Sequence, residues 1–189
     1  MKLEILCLTQ PSRSEYLKRL RACIGPQLTA DVRFTVRMFD PRLFLGVNRQ
    51  WMIDESKAEY ICFIDDDDLV ADDYVSTILP LLDGIDYVGF ELQCYIDGVP
   101  FSHTYHDLRC GGWHNDEKGY YRDISHLNPI RRELALLEPM EGGNAEDHRW
   151  ADRMRATGKV RTQHMIPRVM YFYYSRSIKN DAEFRWSPP

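Results

Sequence analysis

The sequence predicts an α/β protein with a mostly parallel central sheet flanked by helices, and three observations support this class. Segments with strand-like and helix-like residue spacing alternate three times between residues 3 and 82, which is typical of parallel sheets. The apolar run at 60–64 leads directly into four aspartates, and α/β sheets bind ligands at the carboxyl ends of their strands. The Asp-Gly pair at 97–98 separates two further strand-like segments and predicts a small antiparallel hairpin.

The first half of the chain is predicted to contain three strands and three helices. The strands are expected at residues 3–8, 32–38 and 60–64. The first helix is expected to be capped by Ser12 or Ser14 and to end at Gly25-Pro26. The second helix is expected over 47–55, with Trp51 and Met52 facing the core. The third is expected to be capped by Asp72 and to end near Pro80.

The second half is less regular in its pattern. The predicted hairpin strands span 87–96 and 99–105, and residues 106–122, rich in Gly, His, Asn and Asp, are predicted to form a long loop. A short helix is expected near 131–137. A longer one is expected over 145–157, capped by Asn144 and closed by Gly158. Late strands are predicted at 160–165 and 169–174, followed by a poorly ordered polar tail.

Length and composition indicate a globular protein. A chain of 189 residues with 44% hydrophobic and 28% charged residues is typical of one soluble domain. The expected division is a nucleotide-binding half over about 1–90, a second half over about 91–175 and a tail over 176–189. We expect no membrane span and no signal peptide, because no apolar run is long enough and the N-terminus enters a strand at once. The five cysteines are odd in number and lack CxxC spacing, which predicts reduced thiols and a cytoplasmic location.

Charge is unevenly distributed along the chain. The formal net charge is -5, with an acidic excess in residues 1–119 and a basic excess in residues 120–189. The basic part could face a phosphate-bearing partner or could simply be a solvated surface. This asymmetry leaves both possibilities open.

The aspartates Asp65 to Asp68 are the strongest chemical signal. Four adjacent carboxylates repel one another, and a divalent cation that prefers hard oxygen ligands relieves this repulsion. A solvated acidic loop is the alternative, but such a loop does not normally follow a buried strand. An EF-hand is excluded because it requires Gly at its sixth position and Glu at its twelfth, where this chain has Val70 and Ser76.

Several segments resemble the nucleotide-binding half of a family 2 glycosyltransferase with the GT-A fold, of a minimal bacterial or phage type. Together with a later motif, the resemblance covers most of the chain. The segment Phe63-Ile64-Asp65-Asp66-Asp67-Asp68 resembles the DxD motif of these enzymes, and Asn144-Ala145-Glu146-Asp147 resembles the Glu-Asp motif that opens their acceptor-side helix. The usual Asp-rich stretch after the second strand is reduced here to Asp40. The other matching segments are residues 6–13 (LCLTQPSR), 39–40 (FD), 46–49 (GVNR) and 58–61 (AEYI).

The resemblance implies a nucleotide-sugar donor, a UDP-sugar, and a divalent cation, Mn²⁺ or Mg²⁺. It implies donor contacts from Thr9, Gln10, Arg13, Asp40, Asn48, Asp65 and Asp66. It implies cation ligands at Asp65, Asp67 and His164. In an extended segment, residues two apart point to the same side, so Asp65 and Asp67 are expected to face the cation while Asp66 points away. Asp68 could bind the cation through water or orient the other carboxylates.

The resemblance also implies that Asp147 is the general base and that Glu146 is its neighbour in the catalytic pair. For both acids an alternative is that they only complement the dipole of a helix N-terminus. For His164 the alternative is an ordinary surface or core histidine. Trp113 could stack on a sugar or base, or serve in packing. The segment 126–132 could position an acceptor or a phosphate, or simply enter the next helix.

These observations predict a metal-dependent glycosyltransferase, with inversion favoured because one carboxylate base suffices for direct displacement. The acceptor is left open between a hydroxymethylated base in phage DNA and a saccharide or lipid-linked glycan. A nucleotidyltransferase is a second possibility, but residues 9–13 lack the glycines of its phosphate loop. A non-catalytic carbohydrate- or metal-binding module is the third. It predicts that Asp147→Asn leaves function intact.

Overall fold

The computed structural model of the protein describes residues 1–176, so the predicted tail lies almost entirely outside the described residues. The strands in chain order are β1 Leu3–Thr9, β2 Val32–Met38, β3 Tyr60–Phe63, β4 Leu69–Val70, β5 Tyr87–Ile96, β6 Val99–His106, β7 His114–Asp116, β8 Gly119–Arg122, β9 Ile130–Arg131 and β10 Gln163–Ser175. The helices are α1 Ser14–Ile24, α2 Leu45–Glu55, α3 Tyr74–Ile78, α4 Arg132–Ala135 and α5 Glu146–Thr157. Within residues 1–176, no helix has the length and apolar character needed to cross a bilayer.

All ten of these strands join one sheet, whose order is β2-β1-β3-β9-β5-β6-β8-β7, with β10 added to β5 and β4 added to β10. β1 is parallel to both β2 and β3, which confirms the parallel first half. Beyond β3 most pairings are antiparallel, including β3–β9, β5–β6 and β7–β8. Because one sheet contains strands of both halves, the two halves share a single framework.

Helices cover both faces of this sheet. The alternation of side chains along β1 sends Ile5 and Cys7 to one core cluster and Leu6 to the other. The first cluster also contains buried residues of α1 and α3. The second contains Met52 of α2 and Trp150 of α5. The predicted α/β class with flanking helices is therefore confirmed.

The predicted hairpin at Asp97-Gly98 is confirmed by the pairing of β5 with β6. Both turn residues have positive φ, 50° and 79°. Positive φ at both positions is required by the two-residue turn whose twist matches that of the strands. Asp-Gly is among the dipeptides that adopt positive φ most easily. The hairpin extends the sheet beyond its parallel part.

The predicted N-terminal helix caps were wrong. A 3-10 turn at Pro11–Arg13 runs directly into α1, whose cap residue is Arg13, so neither Ser12 nor Ser14 caps it. α3 is preceded by Asp73 and not by Asp72. α5 is preceded by Ala145 in the left-handed conformation, at φ 57°, and not by a capping Asn144. The prediction that Gly158 closes α5 is confirmed by its left-handed conformation.

Other differences lie in side-chain direction and in the later strands. Trp51 is 37% exposed, with Arg37 over its ring, whereas Met52 is buried as predicted. Residues 106–122 are not a loop throughout, because they contain a 3-10 turn and the β7–β8 pair. The two predicted late strands are one strand, β10, whose pairing with β5 shifts register between Ile166 and Val169. That shift accommodates Pro167, which has no N–H to donate to the ladder.

Candidate active site

The ends of β1 and β3 open into a cleft of about 250 Å³, which we call the aspartate cleft. It lies where parallel strands end, as expected for an α/β sheet. Its lining includes three of the four adjacent aspartates and several of the residues predicted to contact the donor. The lining residues are Leu8, Thr9, Gln10, Arg13, Phe39, Leu45, Arg49, Asp65, Asp66, Asp67, Tyr173 and Tyr174.

The aspartates form a turn and not an extended segment. The backbone N–H of Asp68 donates to the carbonyl oxygen of Asp65 at 3.1 Å. The predicted alternation, with Asp66 pointing away, was therefore wrong. Arg13 contacts the carboxylates of both Asp66, at 2.8 Å, and Asp67.

Asp68 attaches this turn to the last strand. Its carboxylate accepts hydrogen bonds from the Tyr171 hydroxyl at 2.7 Å and from the Tyr174 N–H at 2.8 Å. Burial, together with the charges of Asp65 and Asp67, raises the pKa of Asp68 well above its usual range. Of the two roles considered for Asp68, these contacts support the orienting one.

The three aspartates that line the cleft differ in their ionisation. Burial raises the pKa of Asp66 to about 6, against the opposing charge of Arg13. Burial also raises the pKa of Asp67, again opposed by Arg13. For Asp65 burial acts in the same direction, but the charge of Arg49 2.8 Å away outweighs it and holds the pKa below its usual value.

Asp65 and Asp67 are suited to a divalent cation whose remaining coordination positions are filled by a substrate. Their side chains are 33% and 34% exposed, and carboxylate oxygens are the ligands that Mg²⁺ and Mn²⁺ prefer. Within residues 1–176, no group of three or more His, Cys, Asp or Glu side chains is arranged to enclose a metal ion. Mg²⁺ is commonly bound by one or two carboxylates together with substrate phosphates. The pair therefore fits such a cation but not a cage made only of protein ligands.

His164 does not join these aspartates. It is exposed near the start of β10, paired with Val88 of β5. Tyr171, which donates to Asp68, lies seven residues later on the same strand, roughly 23 Å away at the normal rise of a strand. The predicted role of His164 as a cation ligand was therefore wrong. Only the later part of β10 lies beside the aspartates, and His164 is near its start.

Two other residues predicted to contact the donor are engaged in the loop after β2. Asn48 is fully buried, and its side-chain amide bonds both the N–H and the carbonyl oxygen of Asp40 and the carbonyl oxygen of Phe44. It braces this loop and does not line the cleft. The Asp40 carboxylate is held by Arg42, which lowers its pKa to about 2, while Phe39 lines the cleft in its place. Thr9, Gln10 and Arg13 do line the cleft, and their contact with a donor stays a prediction.

A second depression of about 410 Å³, which we call the aromatic cavity, lies on the other side of a shared wall. Leu45, Arg49, Asp65 and Tyr173 line both spaces. The remaining lining residues are Leu92, Cys94, Thr104, His106, Trp113, Tyr120, Arg122, Ser125, His126, Leu127, Glu146 and Asp147.

Two aromatic residues of this cavity, Trp113 and Tyr120, come from the segment predicted to be a loop. The guanidinium of Arg122 lies over the rings of both Trp113, at 4.8 Å, and Tyr120, at 5.4 Å. The Trp113 indole N–H donates to the Ile124 carbonyl at 2.9 Å, and its ring stacks on His148. These contacts fix the Trp113 ring at the cavity wall, with Arg122 over the ring and His148 stacked on it.

The Glu-Asp pair reaches the cavity from the start of α5. Close packing sets its position: the N–H of Gly46 donates to the Gly142 carbonyl at 2.9 Å, and a Cβ at Gly46 would lie 2.7 Å from the Glu141 backbone. Glu146 is buried and paired with Arg49, whereas the Asp147 side chain is 28% exposed. Only Asp147 of the pair thus keeps a carboxylate open to the cavity.

Arg49 joins the two spaces and was not predicted as a site residue. It is buried, and it binds Asp65 at 2.8 Å and also Glu146. The sequence did contain a signal for this role, because a charged residue lies beside the apolar Met52 and Ile53 of α2. A buried arginine requires carboxylate partners. It connects the turn after β3 with the start of α5.

His126 was also missed, although its segment had been noted. Its side chain is 5% exposed, and its Nδ1 lies 3.8 Å from Oδ2 of Asp147. Burial, reinforced by the charge of Arg49, lowers its pKa to about 4. The ring is therefore neutral at physiological pH.

Aspartates at the edge of a Rossmann-like sheet, facing an acidic helix start across a shared wall, define the class of glycosyltransferases with the GT-A fold. Solved structures of S. aureus TarS have the same fold. The chain matches TarS 1-349 with a TM-score of 0.66 at 13% identity, over 92% of this chain and 60% of that chain. It matches the complex of that fragment with UDP-GlcNAc with a TM-score of 0.68 at 14% identity, over 94% and 59% of the two chains.

The family follows from the sequence model described as glycosyl transferase family 2, which matches residues 2–135. The chain belongs to this family, and the predicted family and fold are both confirmed. A comparison with curated proteins gave no match. The chain spans about 60% of TarS 1-349 and 37% of the longer TarS chain.

Proposed function

We propose that the protein transfers a sugar from a UDP-sugar to an acceptor hydroxyl. The observation that carries this proposal is the shared wall in which Arg49 binds both Asp65 and Glu146. A donor in the aspartate cleft and an acceptor in the aromatic cavity would meet at that wall. The TarS fragment that shares this fold has been solved with UDP-GlcNAc and with UDP, which supports a UDP-sugar as the donor class.

The donor's diphosphate would lie against the aspartate turn. Asp65 and Asp67 would hold Mn²⁺ or Mg²⁺, which would neutralise charge on the departing UDP. Arg13, which contacts Asp66 and Asp67, provides further positive charge at the same place. Thr9 and Gln10 would contact the donor from the end of β1, and Asp40 lies beside the cleft residue Phe39.

Asp147 is the proposed general base. It accepts the proton of the acceptor hydroxyl while that oxygen bonds to the anomeric carbon and the bond from that carbon to the UDP oxygen breaks. Glu146 is committed to Arg49 and is therefore not a second free carboxylate at this point. One base and direct displacement predict inversion at the anomeric carbon.

The acceptor proposed here is a saccharide. The aromatic residues that line the cavity, Trp113, Tyr120 and Tyr173, can pack against a sugar ring, and the Tyr173 side chain is 40% exposed. A hydroxymethylated DNA base is disfavoured by the net charge of -5, since DNA binding depends on contacts between basic residues and phosphates. As parts of the same proposal, residues 1–189 form one domain, and the free state of all five cysteines supports a reducing cytoplasmic location.

The test begins with thermal stabilisation by UDP-GlcNAc, UDP-glucose and UDP-galactose, with and without Mn²⁺. A ligand that binds only the folded state raises the melting temperature. UDP release is then measured with simple saccharides and with hydroxymethylated DNA as acceptors. We expect saccharide-dependent release with little salt dependence. Release that depends on DNA and falls steeply with salt would replace the saccharide proposal.

The variant that tests the proposed general base is Asp147→Asn. It should lower turnover by about 10²–10⁴-fold, the usual contribution of a general base, while stabilisation by UDP and Mn²⁺ stays at the wild-type value. Unchanged turnover in this variant would exclude Asp147 as the base and would favour a binding module. Release of pyrophosphate from a nucleoside triphosphate would instead indicate a nucleotidyltransferase.

A further inference from the structure

His126 is a buried polar side chain without a hydrogen-bond partner. Its side chain is 5% exposed, and neither ring nitrogen has a partner among residues 1–176. Leaving such a group unpaired costs about 1–3 kcal/mol. Native structures rarely keep such groups without a reason, and a role in catalysis is one of the usual reasons.

The imidazole packs against the end of the strand that precedes the aspartates. The His126 carbonyl oxygen accepts the Phe63 N–H at 2.8 Å. The two rings pack at a tilt, with centroids 5.8 Å apart. Phe63 is the last residue of β3, two positions before Asp65. The ring therefore lies near the aspartate turn, and it lines the aromatic cavity together with Asp65 and the start of α5.

The nearest polar group is the proposed base. Asp147 Oδ1 accepts the His148 backbone N–H at 2.8 Å, whereas Oδ2 lies 3.8 Å from the Nδ1 of His126. That distance is too long for a hydrogen bond. Hydrogen bonds between catalytic groups are often long without substrate and shorten when it binds. Closing this gap would satisfy one nitrogen of His126.

Building on the proposed role of Asp147, we propose that His126 is a positioning residue for sugar transfer, whose Nδ1–H donates to Asp147 Oδ2 when substrate is bound. Both carboxylate oxygens are then held, Oδ1 by the backbone of His148 and Oδ2 by the imidazole. The base has a single orientation toward the acceptor hydroxyl. A neutral imidazole suits this task, because a cation beside Asp147 would lower the pKa of its carboxylate and weaken it as a base.

The kinetic test compares His126→Phe with His126→Asn. Phenylalanine keeps a planar ring but cannot donate a hydrogen bond, whereas asparagine keeps an N–H near the position of Nδ1. UDP release from UDP-GlcNAc with Mn²⁺ is measured with water as the acceptor. His126→Phe should lower kcat about 10–100-fold, the usual effect of losing a partner that orients a site residue. KM should stay unchanged, and His126→Asn should recover most of kcat.

The melting temperature separates this role from a structural one. Replacing an unpaired buried polar group by an apolar group of similar shape is nearly neutral or stabilising, so His126→Phe should melt close to the wild type or above it. A wild-type kcat in His126→Phe, or no recovery in His126→Asn, would overturn the proposal. If Asp147→Asn keeps its turnover, the proposed base fails instead. If that variant is inactive and His126→Phe is fully active, only the positioning role fails.

A spectroscopic measurement decides the hydrogen bond independently of turnover. In protein labelled with ¹⁵N-histidine and saturated with UDP and Mg²⁺, the resonances of His126 are identified by their loss in His126→Asn. We expect the Nδ1–H tautomer in the wild type and a changed resonance in Asp147→Ala. An Nε2–H tautomer in the wild type, or a resonance that does not respond to Asp147→Ala, would refute the bond.

Discussion

The aspartate cleft and the aromatic cavity share a wall but are built differently. The cleft lies at the ends of parallel strands, and its carboxylates are paired with arginines, Asp65 with Arg49 and Asp66 with Arg13. The cavity lies over the β5–β6 hairpin and β8. Its lining includes the aromatic rings of Trp113, Tyr120 and Tyr173 and the buried, neutral His106.

The difference indicates a division of tasks. The ion pairs at the cleft are suited to a ligand with several negative charges. When such a ligand binds, the arginines can pair with it in place of the aspartates. The aromatic residues that line the cavity are suited to packing against a neutral sugar ring. Arg49 contacts carboxylates of both regions, so its replacement should affect both of them.

Arg49→Met should produce the largest effect, because it leaves the buried Glu146 without its counter-ion. Breaking a buried pair on one side typically costs about 3–5 kcal/mol of unfolding free energy. Urea denaturation measures this loss, and Arg49→Met/Glu146→Gln should restore part of it. Arg42→Met is the matched control, since its side chain is 86% exposed beside Asp40 and its removal should have no measurable effect. Equal losses in the two arginine variants would contradict a special role of the shared wall.

Acid should weaken the cavity side through His106. Burial lowers the pKa of His106 to about 3, below the value near 6.5 of the unfolded chain. Between these two pH values the unfolded state binds more protons, so stability falls as the pH drops below 6.5. From pH 7 to pH 5 this residue should account for a loss of about 2 kcal/mol.

Urea denaturation at pH 7 and pH 5 tests this expectation with His106→Asn, whose amide can still bond Asn128, the partner of His106. The variant should lose less stability between the two pH values than the wild type. His114→Asn, at an exposed histidine on β7, should lose as much as the wild type. An unchanged pH dependence in His106→Asn would show that acid acts elsewhere.

Trp113→Leu should produce the smallest effect and should affect only the cavity. Loss of the aromatic ring from the cavity lining is expected to raise KM for a saccharide acceptor about tenfold, equivalent to about 1.4 kcal/mol. The affinity for UDP with Mn²⁺, measured by calorimetry, should stay unchanged. Trp51→Leu replaces an exposed tryptophan on α2 and should change neither quantity. A weaker affinity for UDP in Trp113→Leu would contradict the separation of the two regions.

The sequence predicted the cleft side better than the cavity side. In the parallel part of the sheet β1 and β3 are short apolar strands and β2 alternates apolar with polar residues, and these patterns locate all three to within a residue or two. β7 and β8 are short, and their seven residues include a glycine and several polar side chains. Their pairing depends on contacts with β6, which no local pattern reports.

The same division holds for individual site residues. Asp65 and Asp67 follow directly on a buried strand, so their place at the sheet edge could be predicted. Asn48 belongs to a segment that resembles the family, yet its amide is used to hold the loop at 40–44. His164 was assigned to the aspartates by its place in the chain order, although β10 carries it to the far end of the sheet.

By itself, the sequence determined the α/β class, the parallel strands, the edge on which the aspartates lie and the family, because these depend on local periodicity and on motifs in a definite order. Only the tertiary structure decided that the aspartates form a turn, that Arg49 joins Asp65 to Glu146, and that His126 faces Asp147. Partners such as Arg49 and Glu146, 97 residues apart in the chain, meet only when α2 and α5 pack on the same face of the sheet. Burial, which sets the ionisation of these groups, is a property of that packing.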